Sequence, residues 1–401
     1  MTSIATVPQV PVLDAAHASR VAADLAGRFA REAADRDLHR RLPEREIEEL
    51  SDSGLLALAV PTEFGGAGAS AATVADVIRT LSAADPNIGQ IPHSHFVYLN
   101  LVRLAGGREL QQRIYSDVLA GARLGNAQSE LKGPTALAVA TRLTPSDDGG
   151  YRLSGRKGYA TGALFATWIP VLATVPGAEE EVVAFVRHDA HGVRVVDDWD
   201  GLGQRTTASG QVHLEDVVVA DEFVVPRTAA IRGPFGYGAY AQLLHTAIDV
   251  GIAQGALVEA VEFVATKSRP HHEAGVDRAV DDPLTIQRVG ELDVTVRAAY
   301  ALLREAAEAV DAVMAEPGEQ RATEATLAVA AAKIVATDAS LAVSSGLFEI
   351  SGTRSVARSA NLDRHWRNAR THTVHDPVRW KYQHLGRYRL TGQQPPRTGT
   401  L

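Results

Sequence analysis

Several histidines lie close together near the carboxyl end of the sequence. Residues 361–380 (NLDRHWRNARTHTVHDPVRW) hold three His, four Arg, two Trp and two Asp, in a chain that is only 5% aromatic. His372 and His375 are three residues apart, so a helix would place both on one face. Imidazole titrates near neutral pH and can therefore move protons. The segment is either the wall of a reaction site or an interface in which histidines bond carboxylates.

Metal binding is the weakest interpretation of this histidine pair. A His-x-x-His pair can ligate a metal, but no further cluster of His or carboxylate residues accompanies it at a recognised spacing. The chain has no cysteine, which excludes disulfides, thiolate metal sites and cysteine nucleophiles. We predict no metal site, so the chemistry must use oxygen and nitrogen groups or a cofactor.

The composition is that of a soluble protein with more than one domain. The 401 residues are 45% apolar and 22% charged, and a chain of this length usually forms two or three domains. The net charge of -8, without long runs of like charge, argues against nucleic-acid binding. The N-terminus lacks the pattern of a secretion signal, and no stretch approaches the roughly 18 apolar residues of a membrane span. We expect a cytoplasmic protein that does not bind membranes.

The spacing of apolar residues predicts a mainly α-helical chain with a central β domain. Helical spacing predicts an N-terminal helical domain over residues 1–122. Short alternating runs between turn-forming residues predict a β domain over residues 123–228, as an antiparallel barrel or sandwich. Helical spacing returns over residues 229–401, with long Ala-rich amphipathic helices predicted at 239–267, 284–315 and 323–348. A four-helix bundle follows, whose outer apolar faces predict self-association.

This domain order resembles the acyl-CoA dehydrogenase family over nearly the whole chain. The matching motifs are the Pro61-x-x-Phe64-Gly65-Gly66 loop, the KGYATG strand at 157–162 and the Gly203-Gln204-Arg205 turn leading into LEDVVV at 214–219. Members of the family have an N-terminal helical domain, a central β domain and a C-terminal four-helix bundle. The resemblance implies a homotetramer with flavin bound between subunits.

Segment 361–380 indicates the branch of this family. Dehydrogenases carry Tyr-Glu-Gly-Thr here, and its Glu removes the substrate α-proton; this chain has His375-Asp376-Pro377-Val378, and residues 238–258 also lack Glu. The segment is instead similar to flavin-dependent monooxygenases that oxidise dibenzothiophene, its sulfone or other organosulfur compounds. The resemblance implies a two-component monooxygenase that receives reduced FMN, rather than FAD, from a separate flavin reductase. With O2 it would oxygenate a small apolar, organosulfur substrate through a flavin C4a-(hydro)peroxide.

The sequence is also compatible with three other functions. An FAD-dependent acyl-CoA dehydrogenase would use Asp376 as base, although Asp is one methylene shorter than Glu. An N-hydroxylating monooxygenase of the same fold would share the oxygen chemistry and differ in its pocket. A non-catalytic flavin-fold protein that binds a ligand is the third alternative.

The resemblance also implies roles for single residues. It places His375 against the oxygen bound to the flavin, with His372 in support. His95 would project toward the flavin, although His93 and Tyr98 fit that position too. The catalytic set is His375, His372, His95, Asn126 and Thr161.

The cofactor-binding residues implied by the resemblance lie in the β domain and the bundle. Thr161 would place its hydroxyl near flavin N5 or N1, and Trp199 would pack against the isoalloxazine beside the turn that contains Arg205. Arg269 and Arg354 would bind the FMN phosphate, the latter from a neighbouring subunit. The alternatives are an ordinary strand threonine, a core tryptophan and solvated arginines. The loops 132–134 and 268–283 would shape the substrate pocket.

Overall fold

The computed structural model describes residues 9–131, 138–178, 180–375, 378–399 and 401. Its N-terminal part is helical, with α1 Ala15–His39, α2 Glu44–Asp52, α3 Ala71–Ala84, α4 Pro86–Gln90, α5 His93–Ala105 and α6 Arg108–Leu119. Asp14 and Ser70 accept hydrogen bonds from the first turns of α1 and α3, as helix N-caps do. Helices α4 and α5 are separated by a break at Ile91 and Pro92.

The strands of the central part form one seven-stranded mixed sheet. They are β1 Arg142–Pro145, β2 Tyr151–Lys157, β3 Trp168–Thr174, β4 Glu181–Arg187, β5 Val193–Val196, β6 Gln211–Val219 and β7 Val224–Pro226. Their order is β5-β6-β2-β1-β3-β4-β7, and β1 pairs with β3 in parallel. The prediction of a wholly antiparallel sheet is therefore wrong at this pair. Strand β2 pairs antiparallel with one edge of β1, and β3 pairs in parallel with the other edge.

The C-terminal part is a helical bundle built around one buried helix. It contains α7 Thr228–Arg232, α8 Tyr237–Thr266, α9 Pro283–Ala315, α10 Glu319–Ser351, α11 Asp363–Thr373 and α12 Arg379–Thr391. We predicted an amphipathic α8, but it is buried on all sides from Tyr237 to Ala253, because α3, α9, α10 and α11 pack around it. A Cβ at Gly255 would lie 2.2 Å from the carbonyl oxygen of Ala83. Glycine is thus what lets α3 approach so closely.

Helix α10 is long and apolar enough to cross a membrane by length and composition alone. However, 61% of its most apolar 18-residue window is buried inside the protein, where it packs mainly against α8 and α9. Its apolar character is therefore that of a core helix in the bundle.

The end of α1 joins the helical, β and bundle parts of the chain. The carboxylate of Asp37 accepts hydrogen bonds from Nδ2 of Asn361 at 2.8 Å and Nη2 of Arg367 at 2.6 Å, beside and within α11. The main-chain carbonyl of Asp37 accepts a bond from Nη1 of Arg205 at 2.6 Å, in the loop after β5. Asp37 is 1% exposed. These bonds fix α11 relative to the β-domain loop.

We predict that Asp37→Ala destabilises the fold, because it leaves the largely buried guanidinium of Arg367 without this carboxylate. The free energy of unfolding in urea should fall by about 3 kcal/mol, as for a broken buried pair. The matched control on the same helix is Asp24→Ala, whose carboxylate is exposed and pairs with exposed Arg28; a loss of at most about 1 kcal/mol is expected there. Equal losses in the two variants would contradict the joining role of Asp37.

Candidate active site

Four histidines from three parts of the chain meet beside the buried half of α8. His93 begins α5, His245 lies on α8, His372 is in the last turn of α11 and His375 follows it. We call these residues the histidine cluster. The rings of His93 and His245 are stacked with centroids 3.7 Å apart, and the ring of His375 lies 4.3 Å from that of His245. Nε2 of His372 lies 3.1 Å from Nδ1 of His245.

A buried ion pair anchors the cluster from the other side of His372. Nδ1 of His372 donates to Oδ1 of Asp249 at 2.5 Å, and Nζ of Lys333 on α10 donates to Oδ2 of Asp249 at 2.6 Å. Asp249 is 0% exposed and Lys333 2%. Burial acts to raise the pKa of Asp249, but Lys333 and His372 outweigh it and hold the pKa at about 2. The carboxylate is therefore ionised at any physiological pH.

The inner histidines are held neutral by their surroundings. Burial lowers the pKa of His93 to about 3, although its Nε2 donates to the carbonyl of Ala241 at 3.0 Å. Burial, followed by the neighbouring histidines and Lys333, also lowers the pKa of His245 well below its ordinary value. Both rings are thus neutral at pH 7, and neutral imidazole can accept a proton as well as donate one.

A series of hydroxyls leads from the β domain toward α11. Oγ1 of Thr161 lies 2.7 Å from Oγ of Ser209, which lies 2.7 Å from Oγ1 of Thr207. Thr207 donates its hydrogen to the carbonyl of Gln204 at 2.9 Å. Thr207 must then accept from Ser209, and Ser209 from Thr161. The direction of this series leaves the oxygen of Thr161 as a hydrogen-bond acceptor.

The loop that contains Gln204 is fixed to both domains. The main-chain carbonyl of Gln204 also accepts a hydrogen bond from Nε1 of Trp199 at 2.7 Å. The N–H of Gln204 donates to Oδ1 of Asn368 on α11 at 2.7 Å. Among the described residues, neither polar atom of the buried Gln204 side-chain amide has a hydrogen-bond partner. Gln204 and Tyr159 both have left-handed backbones, with φ of 51°, and such strained residues often border functional sites.

These unsatisfied groups fit the polar edge of a flavin. An amide carries one donor group and one acceptor group, as the pyrimidine edge of the isoalloxazine does. The oxygen of Thr161 can accept from the N5 hydrogen of a reduced flavin. The half-buried indole of Trp199 and the ring of Tyr159, with centroids 6.2 Å apart, add aromatic surface beside them. The residues present are thus compatible with the cofactor that the sequence implies.

Helix α5 spans the distance between the two groups of residues. At its start His93 stacks in the histidine cluster, and further along Tyr98 donates to Oδ1 of Asn126 at 3.4 Å. Asn126 in turn donates to the carbonyl of Tyr159 at 3.4 Å. Asn126 therefore lies beside Tyr159, next to this aromatic surface.

Both ring nitrogens of His95 form hydrogen bonds with the main chain. Its Nε2 donates to the carbonyl of Leu56 at 2.8 Å, and its Nδ1 accepts from the N–H of Leu124 at 3.1 Å. Both ring nitrogens are thus used in packing the main chain, and burial lowers the pKa of His95 to about 4. The histidine of α5 that joins the cluster is His93.

The predicted arginines lie apart from the cluster. Nη1 of Arg205 donates to the carbonyls of Asp37 and Leu38 at the end of α1, so its observed contacts are structural. Nη1 of Arg354 donates to the carbonyl of Lys267 at 2.9 Å, so Arg354 lies at the end of α8. The exposed Arg269 follows Lys267 by two residues. Asp376 and the loop 132–134 lie outside the described residues.

Sequence reasoning missed His245, Asp249 and Lys333. His245 and Asp249 are four residues apart on α8, a spacing that puts two side chains on one helix face. Lys333 is the only charge in the apolar run AVAAAKIVA, and a lone charge in such a run signals a buried partner. Both signals were present, but neither identifies which carboxylate meets which cation.

The chain is similar to enzymes of known structure and name. Acyl-CoA dehydrogenase N-terminal, middle and C-terminal domains match residues 16–122, 128–217 and 243–380. Dibenzothiophene monooxygenase of Rhodococcus erythropolis is 35% identical, over 94% of this chain and 93% of that protein. SfnC of Pseudomonas putida, a probable FMNH2-dependent monooxygenase, is 31% identical over 94% and 95%. The structure of TdsC from Paenibacillus sp. A11-2 with FMN and indole superposes with a TM-score of 0.91 at 33% identity, covering 96% and 99%.

The neutral histidines predict a loss of stability in acid. The unfolded chain protonates His93 near pH 6.5, whereas the folded protein does so only at about 3. Between these values the unfolded state binds more protons, so stability falls as the pH falls. At pH 5 the loss due to His93 should be about 2 kcal/mol.

This loss can be isolated by measuring the free energy of unfolding in urea at pH 7.5 and pH 5. His93→Gln keeps an N–H donor for the carbonyl of Ala241 but cannot titrate, so it should lose less stability between the two pH values than the wild type. The same substitution at His191, an exposed turn residue, should leave the difference unchanged. If His93→Gln shows the wild-type difference, His93 is not held neutral in the fold.

Proposed function

The chain belongs to the acyl-CoA dehydrogenase family, and we propose that it is a two-component flavin-dependent monooxygenase. It uses reduced FMN and O2 to oxygenate small apolar organosulfur compounds. The names of the relatives described above support this activity, and the FMN in the TdsC structure supports the cofactor. The observation that supports the proposal most is the histidine cluster, whose His375 lies in the segment that departs from the dehydrogenase motif.

The carboxylate that the described contacts bring to the cluster is unsuited to dehydrogenation. Asp249 is paired with Lys333 and His372, and its pKa of about 2 makes it a weak base. A base that removes an α-proton must have access to the substrate and a higher proton affinity. Asp249 has neither, so it is unsuited to act as the base of a dehydrogenase.

Bound reduced FMN would supply two electrons to O2, so that one oxygen atom enters the substrate and the other leaves as water. Thr161, Gln204 and Trp199 would hold the isoalloxazine, through an acceptor oxygen, a free amide and an aromatic ring. Arg269 and Arg354 would bind the phosphate, with Arg354 contributed by a neighbouring subunit. Asn126, fixed by Tyr98, would line the substrate side.

The histidines would manage protons at the reacting oxygen. His375 follows the last turn of α11 and is more exposed than His372, so we assign it the contact with the reacting oxygen. His372, buried and bonded to Asp249, supports it. The stacked rings of His93 and His245 exclude water from the inner wall. Excluding water limits the loss of reducing equivalents as hydrogen peroxide.

The partners follow from the same family position. A separate flavin reductase would supply reduced FMN by diffusion, and the enzyme would act in the cytoplasm as a homotetramer. Large apolar side chains on the outer faces of the bundle support self-association. They include Val258, Leu284, Ile286, Val294, Trp380 and Tyr382.

The proposal is tested with dibenzothiophene and indole as probe substrates, together with chemically or enzymatically reduced FMN. The wild-type protein should consume O2 and form oxygenated product only when reduced FMN is supplied. His375→Ala should lower product formation roughly 100-fold or more, the size of a general acid–base contribution, and release hydrogen peroxide instead.

The control is His191→Ala, an exposed histidine in the turn between β4 and β5, which should retain wild-type product formation. Absence of product from the wild-type protein over a broad organosulfur panel would contradict the substrate class. Wild-type product formation by His375→Ala would contradict the role of His375.

A further inference from the structure

The cluster continues inward as an unbroken line of bonded groups. Lys333, Asp249, His372 and His245 are joined in that order by contacts of 2.6, 2.5 and 3.1 Å. Each belongs to a different turn of α8, α10 or α11, and each is at most 4% exposed. We propose that Asp249 and Lys333 are positioning residues that fix the protons on His372 and His245, so that His245 presents a proton-accepting nitrogen to the site. This inference rests on the proposed monooxygenase function.

The carboxylate determines which nitrogen of His372 carries hydrogen. An ionised carboxylate only accepts hydrogen bonds, so Nδ1 of His372 must donate to Asp249. Neutral His372 then has a lone pair at Nε2, which accepts the hydrogen on Nδ1 of His245. His245 is left with a lone pair on its own Nε2.

The line of groups can take up one proton and hold it away from the site. A proton that arrives at Nε2 of His245 allows the hydrogen on its Nδ1 to move to Nε2 of His372. His245 is then neutral again, and His372 is a cation beside Asp249. The reverse movement returns the proton. No other bond forms or breaks, and the net charge of the buried groups changes by that one proton.

Lys333 sets how strongly this proton is held. Asp249 alone would attract a proton to His372 permanently, since opposite charges interact strongly in a buried site. Lys333 cancels the carboxylate charge, which keeps His372 able to release its proton. The other titratable groups facing the pair are His93 from α5 and His375 after α11, which contact the two faces of His245. The hydroxyl of Thr337, 3.4 Å from Asp249, adds a neutral donor from α10.

A purely structural ion pair would produce a different result when broken. If Lys333 and Asp249 only hold α8 against α10, removing either one should lower the free energy of unfolding. The protonation of His372 should then stay unaffected, or change in the same direction in both variants. In the proposed arrangement the two residues act oppositely. Asp249→Asn removes a negative charge beside His372, whereas Lys333→Met removes a positive charge.

The measurement is the nitrogen NMR spectrum of histidine side chains in the full-length protein without flavin, followed against pH. The signal of His372 is assigned by its loss in His372→Gln. The wild type should show hydrogen on Nδ1 of His372. The pH at which His372 gains its second proton should fall by about one unit or more in Asp249→Asn and rise by about one unit or more in Lys333→Met.

The matched control is Lys157→Met, which breaks another buried ion pair, with Glu130 at 2.8 Å in the β domain. It should lower the melting temperature without moving the titration of His372. Lys333→Arg keeps the cation and should restore a titration close to that of the wild type. If a single variant does not fold, Asp249→Asn/Lys333→Met removes both charges and should lose the preference for hydrogen on Nδ1 of His372.

Shifts in the same direction, no shift, or a kept Nδ1 preference in the double variant would overturn the proposal. Because the spectra need neither flavin nor substrate, this result is independent of whether the protein forms an oxygenated product. In the complete reaction, supplied with reduced FMN, both single variants should move the pH dependence of product per FMN oxidised, in opposite directions. Lys157→Met should leave that pH dependence unchanged.

Discussion

The ionised carboxylate of Asp249 lies where water does not reach, and the interior must therefore supply all of its stabilisation. It does so with a cation from α10 and a ring N–H from α11, at 2.6 and 2.5 Å. Removing a partner would leave a buried charge uncompensated. The pair thus ties α8, α10 and α11 together, and the histidine held by Asp249 is the link between the bundle core and the proposed reaction site.

The rest of the fold brings the groups proposed to bind flavin to that histidine. Asp37 at the end of α1 binds Arg367 and Asn361 at one end of α11, and its carbonyl binds the loop that contains Gln204. Asn368, one turn before His372, receives the N–H of Gln204 directly. The β domain therefore supplies an acceptor oxygen, a free amide and an indole, the bundle supplies three histidines, and α5 of the N-terminal part supplies His93. No part forms the site alone.

Much of this architecture could be predicted from the sequence. The spacing of apolar residues located the long helices of the bundle closely, since α8, α9 and α10 begin and end within four residues of the predicted bounds. The replacement of Tyr-Glu-Gly-Thr by His375-Asp376-Pro377-Val378, and the absence of Glu over residues 238–258, indicated the branch of the family. Contacts between distant segments could not be predicted. The parallel pairing of β1 with β3 depends on strand order. The contact of His93 with His245 depends on a helix that begins three residues after Gln90, a start that apolar spacing does not fix. The ion pair of Asp249 with Lys333 joins α8 and α10. The sequences of both helices around these residues are mainly apolar, so they do not indicate which residues meet.

In the proposed reaction, the site transfers an oxygen atom from O2 to its substrate. It is tested most directly by supplying reduced FMN and dibenzothiophene under isotopically heavy O2 in ordinary water, and then under ordinary O2 in isotopically heavy water. Mass spectrometry of the product should show the heavy atom only when it came from O2. A heavy atom taken from water, or a dehydrogenated product that gains no oxygen, would contradict the account.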